Sequence, residues 1–106
     1  MRAMAQHQVA TPHDVDAFLS KHPAWRVDHG MLVRTYEAPS FLEGIVFVDH
    51  VAKLAEAADH HPDIDIRWRK VTLRFITHDA GNAITTLDTR LAGECDALFS
   101  AHLKLG

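Results

Sequence analysis

The sequence predicts an α+β fold in which three helices cover one face of a four-stranded antiparallel sheet. Two observations predict it. Apolar residues recur at helical spacing in three segments and alternate with polar residues in four others. These segments follow one another in the order α-β-β-α-β-β-α. Since a chain of 106 residues can bury one core, we expect a flexible tail over residues 1–10 and a single domain over residues 11–106.

The composition argues against several classes of protein. The net charge is −3, and no run of Lys or Arg alternates with aromatic residues, so we expect no nucleic-acid partner. The apolar segments are too short to span a bilayer, and residues 1–10 lack the apolar centre of a secretory signal. Cys95 is the only cysteine, so an intramolecular disulfide is excluded. This cysteine content fits a reducing compartment, and we expect a cytoplasmic protein.

The first helix is predicted to begin at Pro12. Thr11 can cap it, and the side chain of Asp14 can complete a capping box. Pro23 ends the helix, because a residue that precedes proline avoids the helical conformation.

Two strands follow, over residues 25–28 and 31–37, and His29-Gly30 is the predicted turn between them. Arg34 lies on an otherwise apolar face of the second strand. That face is therefore expected to be only partly buried.

The long second helix is predicted over residues 41–59, with Ser40 as its cap. Its apolar stripe is wider than a small sheet requires, so part of it is expected to face another subunit. Pro62 ends this helix near His60. Glu56 would then lie one helical turn before His60, on the same face.

The second pair of strands is recognised by a change of parity. Apolar residues occupy even positions over residues 64–68 and odd positions over residues 71–75, which predicts a tight hairpin at Arg69-Lys70. A last helix follows, capped by Thr85 or Thr86.

Three of the nine histidines lie close together in sequence, at His60, His61 and His78. Imidazoles titrate near neutral pH, which favours acid–base chemistry around an organic ligand. A metal site completed by Glu56 or Asp79 is the weaker alternative, because adjacent histidines rarely reach one metal ion. If side chains alternated strictly along the last strand, His78 would point away from the helices. The alternative is that the strand ends before His78 and the loop changes its orientation.

The remaining candidates have structural interpretations. Cys95 is predicted to lie in the core, and Trp68 is either a packing residue or part of a ligand site. The other histidines are interpreted as surface or capping residues: His7, His13, His22, His29, His50 and His102.

Taken together, these residues resemble the pterin-4a-carbinolamine dehydratases, whose animal members are also dimerisation cofactors of a homeodomain transcription factor. The resemblance covers roughly residues 11–98. The family pattern is matched by Glu56, His60-His61-Pro62, Trp68, His78 and Asp88, and Thr77–Gly81 is similar to the bacterial members. The chain departs from the pattern in a loop one residue longer at Asn82-Ala83-Ile84, in Trp at position 68, and in Thr86-Leu87 before Asp88.

The resemblance implies dehydration of 4a-hydroxytetrahydropterin to the quinonoid dihydropterin, with no metal or other cofactor. It implies His60 and His78 as the acid–base pair and His61 as a pterin-binding residue with some role in proton transfer. Glu56 would orient His60. The other positions expected to bind or orient substrate are Thr77, Asp79, Trp68 and Asp88, with helix capping as the alternative for Asp88.

Partners also follow from the resemblance. It implies a homodimer or homotetramer that recycles the cofactor of an aromatic amino-acid hydroxylase. Two alternatives stay open, namely a non-catalytic dimerisation or regulatory module with the same fold, and an enzyme that acts on another pterin.

Overall fold

The computed structural model describes the chain from residue 8 to residue 103, and its side chains to residue 101. The predicted class and order of elements are confirmed. The elements are α1 (Pro12–Lys21), β1 (Arg26–Asp28), β2 (Met31–Glu37), α2 (Phe41–Ala58), β3 (Asp63–Arg67), β4 (Lys70–Phe75), a 3₁₀ turn (His78–Ala80) and α3 (Thr86–Leu103). His7 and the side chain of His102 lie outside the described residues.

The helices begin where their capping residues predict. The Thr11 hydroxyl accepts from the Asp14 amide at 3.0 Å, and the Asp14 carboxylate accepts from the Thr11 amide at 3.0 Å. The Ser40 hydroxyl accepts from the Glu43 amide at 3.1 Å at the start of α2. Each cap satisfies amide groups that have no partner within the helix, which fixes the first turn locally.

The sheet has the order β1-β2-β4-β3, and all neighbouring strands are antiparallel. His29-Gly30 forms the first turn as predicted, with φ values of 52° and 79°. The second turn is Trp68-Arg69 rather than Arg69-Lys70, because Arg67 pairs with Lys70. Trp68 adopts a φ of 55° in this turn, and 72% of its surface is exposed. The packing interpretation of Trp68 is therefore wrong.

The core lies between the helices and one face of the sheet. Phe47 and Val51 of α2 contribute to it, and Leu73 of β4 and Leu91 of α3 complete its centre. Cys95 is fully buried there, as predicted. Burial raises the pKa of the Cys95 thiol to about 12, and the neighbouring Asp96 carboxylate adds to this effect.

A polar cluster on the carboxylate of Asp96 joins the segment between α1 and β1, and strand β2, to α3. His22 Nδ1 lies 2.8 Å from Asp96 Oδ2, and the indole nitrogen of Trp25 donates to Asp96 Oδ1 at 3.0 Å. Arg34 and the Tyr36 hydroxyl both donate to Asp96 Oδ1, at 2.7 and 2.5 Å. This pairing explains a cation on an apolar face, since the Arg34 side chain is only 21% exposed. His22 is the C-cap residue of α1, but its ring is half-buried in this cluster rather than free on the surface.

The start of the described chain differs from the expected tail. The Ala10 amide donates to the Ile84 carbonyl at 2.9 Å, and the Thr86 amide donates to the Gln8 carbonyl at 2.9 Å. Residues 8–10 are therefore held against the segment that leads into α3, and residues 1–7 lie outside the described residues. No helix in the described part of the chain is long and apolar enough to cross a membrane.

Candidate active site

The end of α2, the end of β4 and the turn that follows β4 enclose an open cleft of about 230 Å³. The three predicted histidines meet in it, although His78 lies 18 positions after His60 in sequence. The cleft is lined by Asp59, His60, His61, Ile76, Thr77, His78 and Asp79. It therefore combines a concave shape with imidazole and carboxylate side chains that can donate or accept protons.

His60 leaves the helix because the chain reverses at the preceding residue. α2 ends at Ala58, and Asp59 adopts the left-handed conformation with a φ of 52°. His60 Nε2 then lies 2.6 Å from Asp88 Oδ1, and the ring is nearly parallel to that of Phe75. Only 11% of the His60 side chain is exposed. A carboxylate can only accept, so Nε2 carries a proton and Nδ1 is the nitrogen left for a ligand.

Asp88 is fully buried, and protein donors satisfy both of its oxygens. Its Oδ2 accepts from the Thr77 hydroxyl at 2.7 Å and from the Thr85 amide at 2.9 Å. Thr85 caps α3, since its hydroxyl accepts from the Leu87 amide at 3.3 Å. Asp88 therefore caps α3 and orients His60 at once. Thr77 is 3% exposed, and its hydroxyl is held by Asp88 at the edge of the cleft.

Glu56 pairs with His61 and not with His60, which corrects the predicted contact. Glu56 Oε2 lies 2.6 Å from His61 Nε2, and the two side chains are 77% and 53% exposed. The helix ends at Ala58, so the spacing of one helical turn does not place Glu56 beside His60. The left-handed Asp59 moves His60 off the helix and brings His61 back toward Glu56.

The loop after β4 sets the orientation of the His78 side chain. This was one of the two geometries that the alternation of side chains along the strand left open. β4 stops at Phe75, and the 3₁₀ turn begins at His78. His78 Nδ1 lies 2.7 Å from Asn82 Oδ1. Asn82 was not among the residues predicted for the site. Asp79 lines the cleft and is exposed to solvent.

Trp68 is not brought to the cleft of its own chain. β3 starts just after His61, and β4 ends just before Thr77, so the cleft lies at the open end of the hairpin. Trp68 lies in the turn at the closed end, where its ring contacts the Arg69 guanidinium at 4.7 Å. Five strand residues at about 3.3 Å each place the two ends roughly 17 Å apart.

Each of the three histidines contacts a different hydrogen-bond acceptor of the protein. Within the part of the chain that the structure describes, no three His, Cys, Asp or Glu side chains form a group that could hold a metal ion. The site is thus built from separate imidazoles, each with one ring nitrogen occupied by a protein acceptor.

Comparison with known proteins identifies the class to which this fold and site belong. Residues 8–98 match the family described as pterin 4 alpha carbinolamine dehydratase. A protein of Mycolicibacterium smegmatis is 47% identical over 92 residues, which are 87% of this chain and 97% of the relative. A protein of Mycobacterium tuberculosis is 45% identical over 93 residues, which are 88% of this chain and 98% of the relative. Both carry the provisional name pterin-4-alpha-carbinolamine dehydratase.

A solved structure supports the fold independently. It is the crystal structure of a transcriptional coactivator/pterin dehydratase from Brucella melitensis, with a TM-score of 0.77 and 24% identity. The match covers 83% of this chain and 95% of that one. The chain belongs to the pterin-4α-carbinolamine dehydratase family.

Proposed function

We propose that the protein dehydrates 4a-hydroxytetrahydropterin to the quinonoid dihydropterin. The observation that carries the proposal is the meeting of His60, His61 and His78 in one cleft. Family membership supplies the substrate class, and the cleft supplies groups able to move the protons that the reaction requires.

The reaction breaks the C4a–O bond and the N–H bond of the adjacent ring nitrogen. Protonated His60 gives its Nδ1 proton to the departing hydroxyl, which leaves as water. The electron pair of the N–H bond becomes the new C=N bond, and that proton passes to Nε2 of His78. His60 ends neutral and His78 ends protonated, so proton exchange with solvent restores both. Each positioned proton transfer contributes roughly 10²–10⁴-fold to the rate.

His61 has a different position from the other two histidines. Its side chain is 53% exposed and pairs with the exposed carboxylate of Glu56. A solvated pair at the rim of the cleft is suited to binding the polar edge of a pterin. We assign His61 mainly to binding, with Glu56 as the residue that orients it.

The test is the loss of 4a-hydroxytetrahydropterin absorbance in the presence of purified protein. The expected rate is well above spontaneous dehydration, and His60→Ala and His78→Ala should each lower kcat at least about tenfold. The control is His13→Ala, which changes an exposed histidine on α1. Wild-type rates equal to the spontaneous reaction would leave a non-catalytic module of the same fold as the better interpretation.

We also propose that the reaction recycles the pterin cofactor of an aromatic amino-acid hydroxylase in the cytoplasm. The family resemblance supports the recycling role, and the buried thiol of Cys95 is compatible with a reducing compartment. In a coupled assay, adding the protein should raise the steady rate of such a hydroxylase when dehydration limits turnover. An unchanged rate under that condition would contradict the recycling role.

Finally, we propose that the chain forms a homodimer or homotetramer. β3 is an edge strand, and its Ile64 and Ile66 are each 37% exposed. Leu42 and Val46 of α2 are 70% and 43% exposed. A second copy would cover both the unpaired strand edge and the apolar residues. Light scattering should give a mass above 11.9 kDa, and Ile66→Lys or Leu42→Glu should reduce it. A monomeric wild-type protein would contradict the proposal.

A further inference from the structure

The loop after β4 is closed at its base by a pair of backbone hydrogen bonds. The Thr77 amide donates to the Ala83 carbonyl at 2.9 Å, and the Ala83 amide donates back at 3.3 Å. Inside this closure, Gly81 and Asn82 adopt the left-handed conformation, with φ values of 75° and 59°. The Gly81 amide also donates to the His78 carbonyl at 3.1 Å. The backbone thus holds Asn82 beside the residue whose ring it contacts.

That contact determines which ring nitrogen of His78 carries the proton. Asn82 Oδ1 lies 2.7 Å from His78 Nδ1, and an amide oxygen can only accept a hydrogen bond. His78 Nδ1 must therefore be the donor. The neutral ring then has its lone pair on Nε2, the nitrogen that remains for a ligand in the cleft.

We propose that Asn82 is a positioning residue that fixes the Nδ1–H tautomer of His78 and so makes Nε2 the proton acceptor of the site. The inference rests on the proposed dehydration only for the identity of the proton that Nε2 takes.

The acceptors of the three histidines support this division of roles. His60 and His61 each pair with a carboxylate, whereas His78 pairs with a neutral amide. In general a carboxylate both orients an imidazole and stabilises positive charge on it, while an amide oxygen chiefly orients it. An amide partner therefore suits a ring that must be neutral when the substrate arrives.

Other titratable groups share the cleft with His78. They are Asp59 and His61 near the end of α2, His60 beside them, and Asp79 in the 3₁₀ turn. Because these groups affect any pH–rate profile, the tautomer itself is the first quantity to measure.

Two variants of Asn82 should keep the conformation of the loop, because both new residues are compatible with its left-handed backbone. Glycine and aspartate both tolerate a positive φ, so neither variant should strain the loop. Asn82→Gly removes the acceptor. Asn82→Asp keeps an acceptor in the same place and adds a negative charge, which makes it the matched control for the contact itself.

The first test measures the His78 ring nitrogens by long-range ¹H–¹⁵N correlation in the resting protein, at a pH where the ring is neutral. The wild type and Asn82→Asp should show a protonated Nδ1 and an unprotonated Nε2. Asn82→Gly should show a mixture of tautomers. A protonated Nε2 in the wild type, or an unchanged tautomer in Asn82→Gly, would overturn the inference.

The second test measures kcat and KM across pH. Asn82→Gly should lower kcat about tenfold or more, with a smaller change in KM, since a mispositioned base loses part of its contribution. Asn82→Asp should retain tautomer control and move the acidic limb of the kcat profile to higher pH, because the added charge favours the protonated ring. Wild-type kcat and pH profile in both variants would overturn the inference.

The two tests separate this inference from the proposed function. If the wild-type protein does not accelerate dehydration, the proposed function fails, and the tautomer measurement still decides the role of Asn82. If the wild type is active but Asn82→Gly keeps both the tautomer and the rate, the role of Asn82 fails while the dehydratase assignment stands.

Discussion

Replacing Asp88 with asparagine keeps the size of the side chain and removes its charge. In the native site Oδ1 accepts from His60 Nε2, and Oδ2 accepts from Thr77 and the Thr85 amide. The Thr85 amide can only donate, so the oxygen of the substituted side chain must take the Oδ2 position. The new amide nitrogen then faces His60 Nε2, which can no longer be the donor.

This exchange should reverse the tautomer of His60 and abolish its acid form. A neutral His60 would carry its proton on Nδ1, and a charged His60 would point Nε2–H at the amide nitrogen of the substituted side chain. A neutral imidazole is a very weak acid, so proton delivery to the departing hydroxyl would fail. We expect kcat to fall by roughly 10²-fold or more.

The stability cost of Asp88→Asn should be small by comparison. One charge-assisted hydrogen bond is replaced by a neutral one, which amounts to about 1–2 kcal/mol in the free energy of unfolding. Asp88→Ala should cost about 3–5 kcal/mol, because it leaves the buried Thr85 amide and His60 Nε2 without their partner and removes part of the helix cap.

The assay combines the dehydration rate at neutral pH with urea denaturation of the same samples. Asp16→Asn is the control, since it makes the same chemical change at an exposed position on α1. A folded Asp88→Asn variant with the kcat of the wild type would refute the reasoning, because His60 would then not depend on a carboxylate for its role.

Three further predictions concern stability. Asp96→Ala should cost about 3–5 kcal/mol in urea denaturation, because it leaves the half-buried cation of Arg34 without its partner; a cost below about 1 kcal/mol would contradict this. Ser40→Ala should cost about 1 kcal/mol in the same measurement, through the lost cap of α2, and no measurable change would contradict it. Burial raises the pKa of Cys95 to about 12 from an ordinary 9.0, and burial beside Asp96 also raises that of Tyr36. Both groups hold their protons more tightly when folded. The contribution of Cys95 is fully present below pH 9 and is lost as pH rises toward 12, while that of Tyr36 begins to fall only above pH 10. The free energy of unfolding should therefore fall over that range, less steeply in Cys95→Ala, and an equal slope in both proteins would count against the thiol's part.

The fold could be predicted because its signals are local. Periodicity in a window of ten or so residues is enough to separate helix from strand, and capping residues such as Thr11 and Ser40 fix the starts of helices through neighbours three residues away. The turn at Trp68-Arg69 was misplaced by one residue for a related reason. Parity shows that a turn is present, but a bulky residue in a left-handed conformation gives no signal of its own.

The three histidines that line the cleft could be named from the sequence, but their partners could not. One left-handed residue, Asp59, decides whether Glu56 faces His60 or His61, and a helical projection has no means of representing such a residue. The contact between His60 and Asp88 spans 28 positions and depends on how α3 packs. Residue types thus predicted which histidines line the cleft, while their contacts depend on non-local packing.

The partners, more than the histidines themselves, distinguish the roles within this site. Three imidazoles with identical surroundings would have no reason to hold protons differently. Here one ring meets a buried carboxylate, one meets an exposed carboxylate, and one meets an amide. In the proposed elimination one group gives a proton while another takes one, and unequal partners would allow chemically equal side chains to divide that work.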